Sequence, residues 1–211
     1  MLPQLTTRLF AAVIAAAAWV GLIVQFFVTY SITASIPLTI WILLAFFTIL
    51  TNLLVAVLFT LIAFNRSPLP SESIMAGTML SIAMVGIVSA IFLRGVLELS
   101  GGSILVDKLL HIATPALVPL YWLSCVRKGD LKWRNPVLWA IYPLLYLAYG
   151  MTRGNLTGKY AYPFLDAGKL GWQRTAFTAL IISLVFMTCG YAVVCIDHLL
   201  GSPAERTSQP A

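Results

Sequence analysis

The sequence predicts an all-α fold: a polytopic membrane bundle of six transmembrane helices with the N- and C-termini both cytoplasmic. Three observations predict it. Of the 211 residues, 60% are hydrophobic and only 9% are charged, with a mean hydropathy of +0.94, whereas soluble domains carry about a quarter charged residues. The apolar runs are continuous rather than alternating, which favours helices over a β-barrel. The basic residues gather between the apolar runs. The net charge of +6 therefore reads as a topology signal rather than a nucleic-acid surface.

The first run, Leu9 to Tyr30, carries no charge and would rise about 33 Å as a helix, enough for a bilayer core. It is too long for a signal-peptide apolar region, and its alanines come early rather than after it. It reads as a retained span. Pro37 to Phe64 is the second run. Ile74 to about Leu99 is the third, interrupted only by Arg94 and Glu98. Leu109 to Val126 is the fourth. Pro136 to Met151 is shorter and is expected to extend at its ends. About Thr175 to Ile196 is the sixth.

The loop Arg127–Arg134 holds Arg127, Lys128, Lys132 and Arg134 against Asp130 alone, so it is assigned to the cytoplasm. The N-terminus, the Asn65–Ser73 loop and the tail then lie on the same side. The loops Ser31–Ile36, Ser100–Lys108 and Thr152–Arg174 face outward, although the last also holds Arg153, Lys159, Lys169 and Arg174. Residues 1–201 form one transmembrane domain. Residues 202–211 are a polar tail of disordered composition. The short loops and the absence of an evident targeting peptide favour a bacterial inner membrane.

Candidate chemistry is concentrated in a few polar residues. His111 lies just inside the fourth run, and intramembrane ionisable residues are functional candidates by default. Asp107 lies four residues earlier, on the same helical face, and an acid that orients a histidine is half of a nucleophile-activating device. Pro115 and Pro119 should kink this helix, and Pro115 frees the carbonyl of His111. In the second run Thr48, Thr51 and Asn52 share a face, at a depth from the outer side that His111 can match. Such a cluster also serves to bond helix to helix. Arg94 and Glu98 are spaced to pair; Arg94 could instead hold a lipid carboxylate or phosphate, or Asp107. Tyr142, Tyr146 and Tyr149 recur at helical spacing and read as packing or interfacial anchors. Tyr160, Tyr162, Phe164 and Trp172, mixed with Pro163 and Asp166, suit an outer interfacial segment capping a cavity.

Several chemistries are disfavoured. Cys125, Cys189 and Cys195 show no metal spacing and read as small core residues. No HExxH motif, GxSxG elbow or phosphate-binding glycine loop occurs. His111 and His198 fall on opposite sides of the membrane, too far apart to share a haem. No metal or other cofactor is expected. A transporter would more typically show paired broken helices in matching halves, and the sequence carries no such symmetry.

Three segments together resemble a known family. They are Phe46-Phe47-Thr48-Ile49-Leu50-Thr51-Asn52-Leu53, Leu110-His111 early in the fourth span, and Tyr162-Pro163-Phe164-Leu165-Asp166 before the last span. Their order and spacing resemble the androgen-induced and androgen-dependent TFPI-regulating membrane proteins and their bacterial relatives. The resemblance implies six spans with cytoplasmic termini. It also implies a threonine hydrolase acting on fatty acid esters of hydroxy fatty acids, with the nucleophile at Thr48 and the histidine at His111. Two positions depart from the animal pattern: Thr51 stands where an acid is usual, and Ile112 where Thr is usual.

The reading is an intramembrane hydrolase of lipid esters. Thr48 is the nucleophile, with Thr51 a rival, and His111 is the base. Asp107 orients the ring, with Asn52 and Thr51 supporting. Arg94, Tyr162 and Asp166 are substrate-binding candidates, and Asn52, Thr51 or Tyr162 are candidate oxyanion donors. The partners are membrane lipids and a lipid ester, with no nucleic acid. The alternative is a non-enzymatic lipid or small-molecule binder or transporter, and a third is a structural subunit of a membrane complex.

Overall fold

The computed structural model describes residues 3–93 and 101–201. Arg94 and Glu98 of the expected third span, and the polar tail 202–211, lie outside the described residues. Helix α1 (Gln4–Thr33) is followed by the short α2 (Ile36–Leu43), α3 (Phe47–Ala63) and α4 (Glu72–Val88). A π-helical turn at Ser89–Leu93 ends that arm. Then come α5 (Gly102–Asp107), a second π-helical turn at Lys108–Ala113, and α6 (Thr114–Cys125). The remainder is α7 (Asn135–Thr157), a 3₁₀ turn at Pro163–Leu165, the one-turn α8 (Ala167–Leu170) and α9 (Trp172–Leu200). Among the described residues there is no strand.

Four stretches are long and apolar enough to cross a membrane: α1, α4 with its π turn, the α5–α6 stretch and α9. The pair α2 and α3 makes a fifth if counted together. Helix α7 has 23 residues, and its polar first and last turns leave it outside that group. The outer surface is largely apolar. Phe27, Leu145 and Phe177 are 62, 66 and 65% exposed, and a soluble monomer rarely shows contiguous apolar surface on this scale.

The expected second span differs most from its sequence reading. Pro37 to Phe64 is not one helix: α2 and α3 meet at 95°. The break falls at Leu44–Phe46, where Phe46 is extended (φ −99, ψ 126). Backbone groups opened inside a membrane protein need partners. The amides of Ala45 and Phe46 bond back to Ile42 and Leu43 at 3.1 Å each. The Tyr146 hydroxyl donates to the Ala45 carbonyl at 2.8 Å. Nothing in the run's hydropathy signals the turn, because the residues that satisfy it come from α7.

The early alanines form the face of α1. Ala11, Ile14, Ala15 and Ala18 are buried at helical spacing, packed with Val55, Ala56 and Phe59 of α3. Small side chains let the two backbones approach. Helix α4 is buried on nearly every side and sits centrally against α3, α6, α7 and α9. Gly77 lets the Trp139 indole lie against it, since a Cβ there would fall 2.6 Å from Cδ1. The indole Nε1 is held by Ser73 Oγ at 3.2 Å.

At the end of the bundle away from Thr48, the basic loop is stapled to α9. Asp197, 1% exposed, accepts from the amides of Gly129 (2.9 Å) and Leu131 (3.0 Å). His198 Nε2 contacts the Leu131 carbonyl at 2.7 Å. Lys128 turns inward, donating to the carbonyls of Trp122 and Val126. Burial pushes its ammonium below the ordinary lysine range, against the pull of nearby Asp197.

Candidate active site

Thr48 is the second residue of α3, directly after the break. The first amides of a helix have no partner within it, and the aligned peptide dipoles place partial positive charge there. The Thr48 amide donates to the Tyr162 hydroxyl at 3.3 Å, and Thr48 Oγ1 lies 3.4 Å from the same oxygen. Tyr162 comes from the segment after α7, 114 residues along the chain. It is only 8% exposed, packed edge-on against Phe46 and stacked on Phe164. Two of the sequence-selected residues therefore meet at one point.

Asn52, one turn further along α3, is fully buried and works as a hub. Its amide nitrogen donates to the carbonyls of Thr48 (2.9 Å) and Leu110 (3.3 Å). Its oxygen accepts from Thr114 Oγ1 at 2.6 Å. The π turn explains why Leu110 needs this donor. The Thr114 amide bonds Leu109 O, five residues back. In that register the next donor would come from Pro115, which has no N–H. The Leu110 carbonyl is thus left to side chains, a group that α-helical counting does not pick out. Asn52 supplies the donor, while the Thr114 hydroxyl is given to the Asn52 oxygen.

His111 and Asp107 pair as their spacing predicts: Nδ1 to Oδ1 is 3.0 Å, with side-chain exposures of 21% and 36%. His111 makes no hydrogen bond to Thr48. The two are joined through Asn52, which links the Thr48 carbonyl to that of Leu110, the neighbour of His111. Thr51 faces away from Thr48 chemistry, with Oγ1 3.1 Å from the Tyr142 hydroxyl. Asp166 acts locally. It caps α8 by accepting from the Lys169 amide at 3.1 Å and pairs with that residue's ammonium at 3.7 Å. Arg94 lies outside the described residues.

Thr48, Tyr162 and Ser89 line one end of a cavity of about 300 Å³ between α4, α7 and α9. The rest of its wall is almost entirely apolar, including Phe47, Met84, Val88, Leu144 and Phe186. His111 is not among the lining residues.

Sequence reasoning missed Ser89, Thr114 and the roles of Tyr142 and Tyr146. Thr114 carried one usable signal, its place directly before Pro115, where a hydroxyl is well placed to serve freed carbonyls. Ser89 carried none, being a single serine in an apolar run. Among the described residues no group of three or more His, Cys, Asp or Glu side chains could hold a metal ion.

Taken together, the arrangement offers a hydroxyl beside a helix-start amide and a tyrosine hydroxyl on an apolar cavity, and, off the cavity, a carboxylate-paired imidazole on the residue after Leu110. Comparison with protein-family models, with curated proteins and with solved structures finds no match.

Proposed function

We propose that the chain is an intramembrane hydrolase of lipid esters, with Thr48 as nucleophile and His111 as base. The observation that carries the reading is the place of Thr48: at the start of a broken helix, bonded to Tyr162, on the wall of an apolar cavity. Thr48 Oγ attacks the ester carbonyl and its proton passes to His111, directly or through one water. The developing oxyanion is met by the Tyr162 hydroxyl and the dipole of α3. The imidazolium returns the proton to the departing alkoxide, which leaves as the alcohol. Water then cleaves the acyl-threonine, its proton going to His111, to release the acid and restore the hydroxyl. Asp107 holds the ring through Nδ1. Contact between Thr48 and His111 is made with substrate bound, as catalytic hydrogen bonds commonly tighten in the Michaelis complex.

The proposal includes six spans, with α2 and α3 together as the second and α7 as the fifth. Both termini are cytoplasmic in a bacterial inner membrane, following the basic loop. The site then opens on the outer half of the bilayer. The fatty acid esters of hydroxy fatty acids implied by the resemblance belong to this proposal too.

Two measurements test the reading. The detergent-purified protein is treated with a fluorophosphonate probe, and the modified residue is mapped by mass spectrometry. Labelling at Thr48, lost in His111→Ala, is expected; labelling at Thr51 would move the nucleophile. Tyr162→Phe is expected to lower kcat roughly a hundredfold to a thousandfold, the scale of one oxyanion donor. Steady-state kinetics would show KM little changed.

A second reading, a lipid or small-molecule binder or transporter, is favoured by one fact: His111 bonds Asp107 and stands off the cavity wall. Absence of probe labelling in folded protein, with a control hydrolase labelled, would select it.

A further inference from the structure

The cavity has a defined length as well as a polar end. Along α7 its wall runs from Val137 to Leu147, about 15 Å of helix rise. Along α9 it runs from Ala179 to Met187, about 12 Å. Beyond Val137 and Met187 the slot is closed. A Cβ on Gly190 would lie 3.0 Å from Pro136 Cβ and 3.4 Å from Leu80 Cδ2, so α4, α7 and α9 meet there with no room between them. The slot also opens sideways: Val137 and Leu144 line it and are still 53% and 50% exposed on the outer face of the bundle.

An extended backbone advances ~3.3–3.6 Å per residue over three bonds, so an all-trans alkyl chain advances about 1.2 Å per bond. A slot of ~12–15 Å therefore holds about ten to twelve carbons. Its volume of about 300 Å³ is at the small end for ligand sites, enough for one such chain and not for two.

From this we infer that the slot is a chain-length gauge for a single linear, medium-length acyl chain. The chain slides in from the bilayer between α7 and α9, its carboxyl carbon at Thr48 and its methyl end stopped at the Pro136–Gly190 contact. The inference rests on the hydrolase reading and deepens it: only the acyl arm is enclosed, while the alcohol part of the ester stays in the surrounding lipid. A branched ester of two long chains, the substrate implied by the family resemblance, does not fit whole. Ala140, one turn above the closed end, sets the usable depth.

The test uses the purified full-length chain and p-nitrophenyl esters of linear acids from about four to about sixteen carbons. Each methylene buried adds roughly threefold to fourfold to binding. The expected profile of kcat/KM rises with length, breaks at about ten to twelve carbons, and gains nothing beyond. Ala140→Phe should move the break to about eight carbons or fewer, and Met187→Ala should move it upward. The opposite directions guard against a variant that merely folds poorly. Equilibrium binding of tritiated free fatty acids of the same lengths is measured in parallel. Turnover with a profile that neither variant moves overturns the gauge and leaves the hydrolase. Binding that breaks at the same length and shifts with both variants, without turnover, keeps the gauge and overturns the hydrolase. Neither turnover nor length-dependent binding overturns both.

Discussion

Thr48→Ala is expected to abolish ester turnover, by at least about a thousandfold in kcat, because no other group replaces a nucleophile. The fold should persist. Thr48 gives only one side-chain hydrogen bond, at 3.4 Å, to a hydroxyl that still accepts from the backbone amide of the same residue. That amide is untouched by the substitution. Substrate affinity should change little, since the cavity wall loses one methyl and one hydroxyl. Parallel measurement of kinetics, thermal unfolding in detergent and fatty-acid binding checks all three. Turnover within tenfold of the parent protein would remove Thr48 from the mechanism, and Thr51→Ala would then be the informative variant. Thr51 points at Tyr142 rather than at the cavity, so the expected cost of that change is small.

Asn52→Leu is expected to be the most damaging substitution for stability. The side chain is fully buried and makes three hydrogen bonds that hold α3, the Lys108–Ala113 turn and Thr114 together. Leucine keeps the branched shape and heavy-atom count, is somewhat bulkier, and removes every bond. The Leu110 carbonyl has already lost its in-register donor to Pro115, so it would depend on the long contact from Thr114 at 3.5 Å. Each buried polar group left without a partner costs about 1–3 kcal/mol. A total of about 3–5 kcal/mol is expected, against some return from burying an apolar side chain. Loss of the hub should also uncouple His111 from α3. A variant that unfolds within a degree or two of the parent in detergent would show that Thr114 and water carry the network without Asn52.

The helical class and the presence of helices apolar enough to cross a membrane were legible from composition. The apolar runs marked both ends of α1 and α9 to within about a turn and a half, whereas α7 runs on past the end of its apolar run and the expected end of the third span lies outside the described residues. The Asp107–His111 pair was legible because helical spacing alone brings side chains four apart into contact. The Thr48–Asn52 patch was legible for the same reason. What could not be read is whatever depends on distant chain. The bend between α2 and α3 is apolar in sequence, and its open carbonyl is served by Tyr146, 101 residues away. Tyr142 and Tyr146 looked like anchors because spacing shows which residues share a face and says nothing of what that face meets. The switch from α to π register around His111 has no compositional mark, so counting in fours did not show that the Leu110 carbonyl also loses its donor. Asp166 caps α8 through the Lys169 amide, a short-range bond that the sequence reading did not weigh.

The two π turns, Ser89–Leu93 and Lys108–Ala113, also set the direction in which polar side chains aim. A π turn takes five residues where an α turn takes four. Each residue adds about 100° of rotation, so the face beyond the turn is swung onto a different neighbour. One of these turns carries Ser89, on the cavity wall, and the other His111, beside Asp107. Deleting one residue from either turn would restore the α register and swing the helix beyond it by about a quarter turn, while leaving the composition of the apolar runs unchanged.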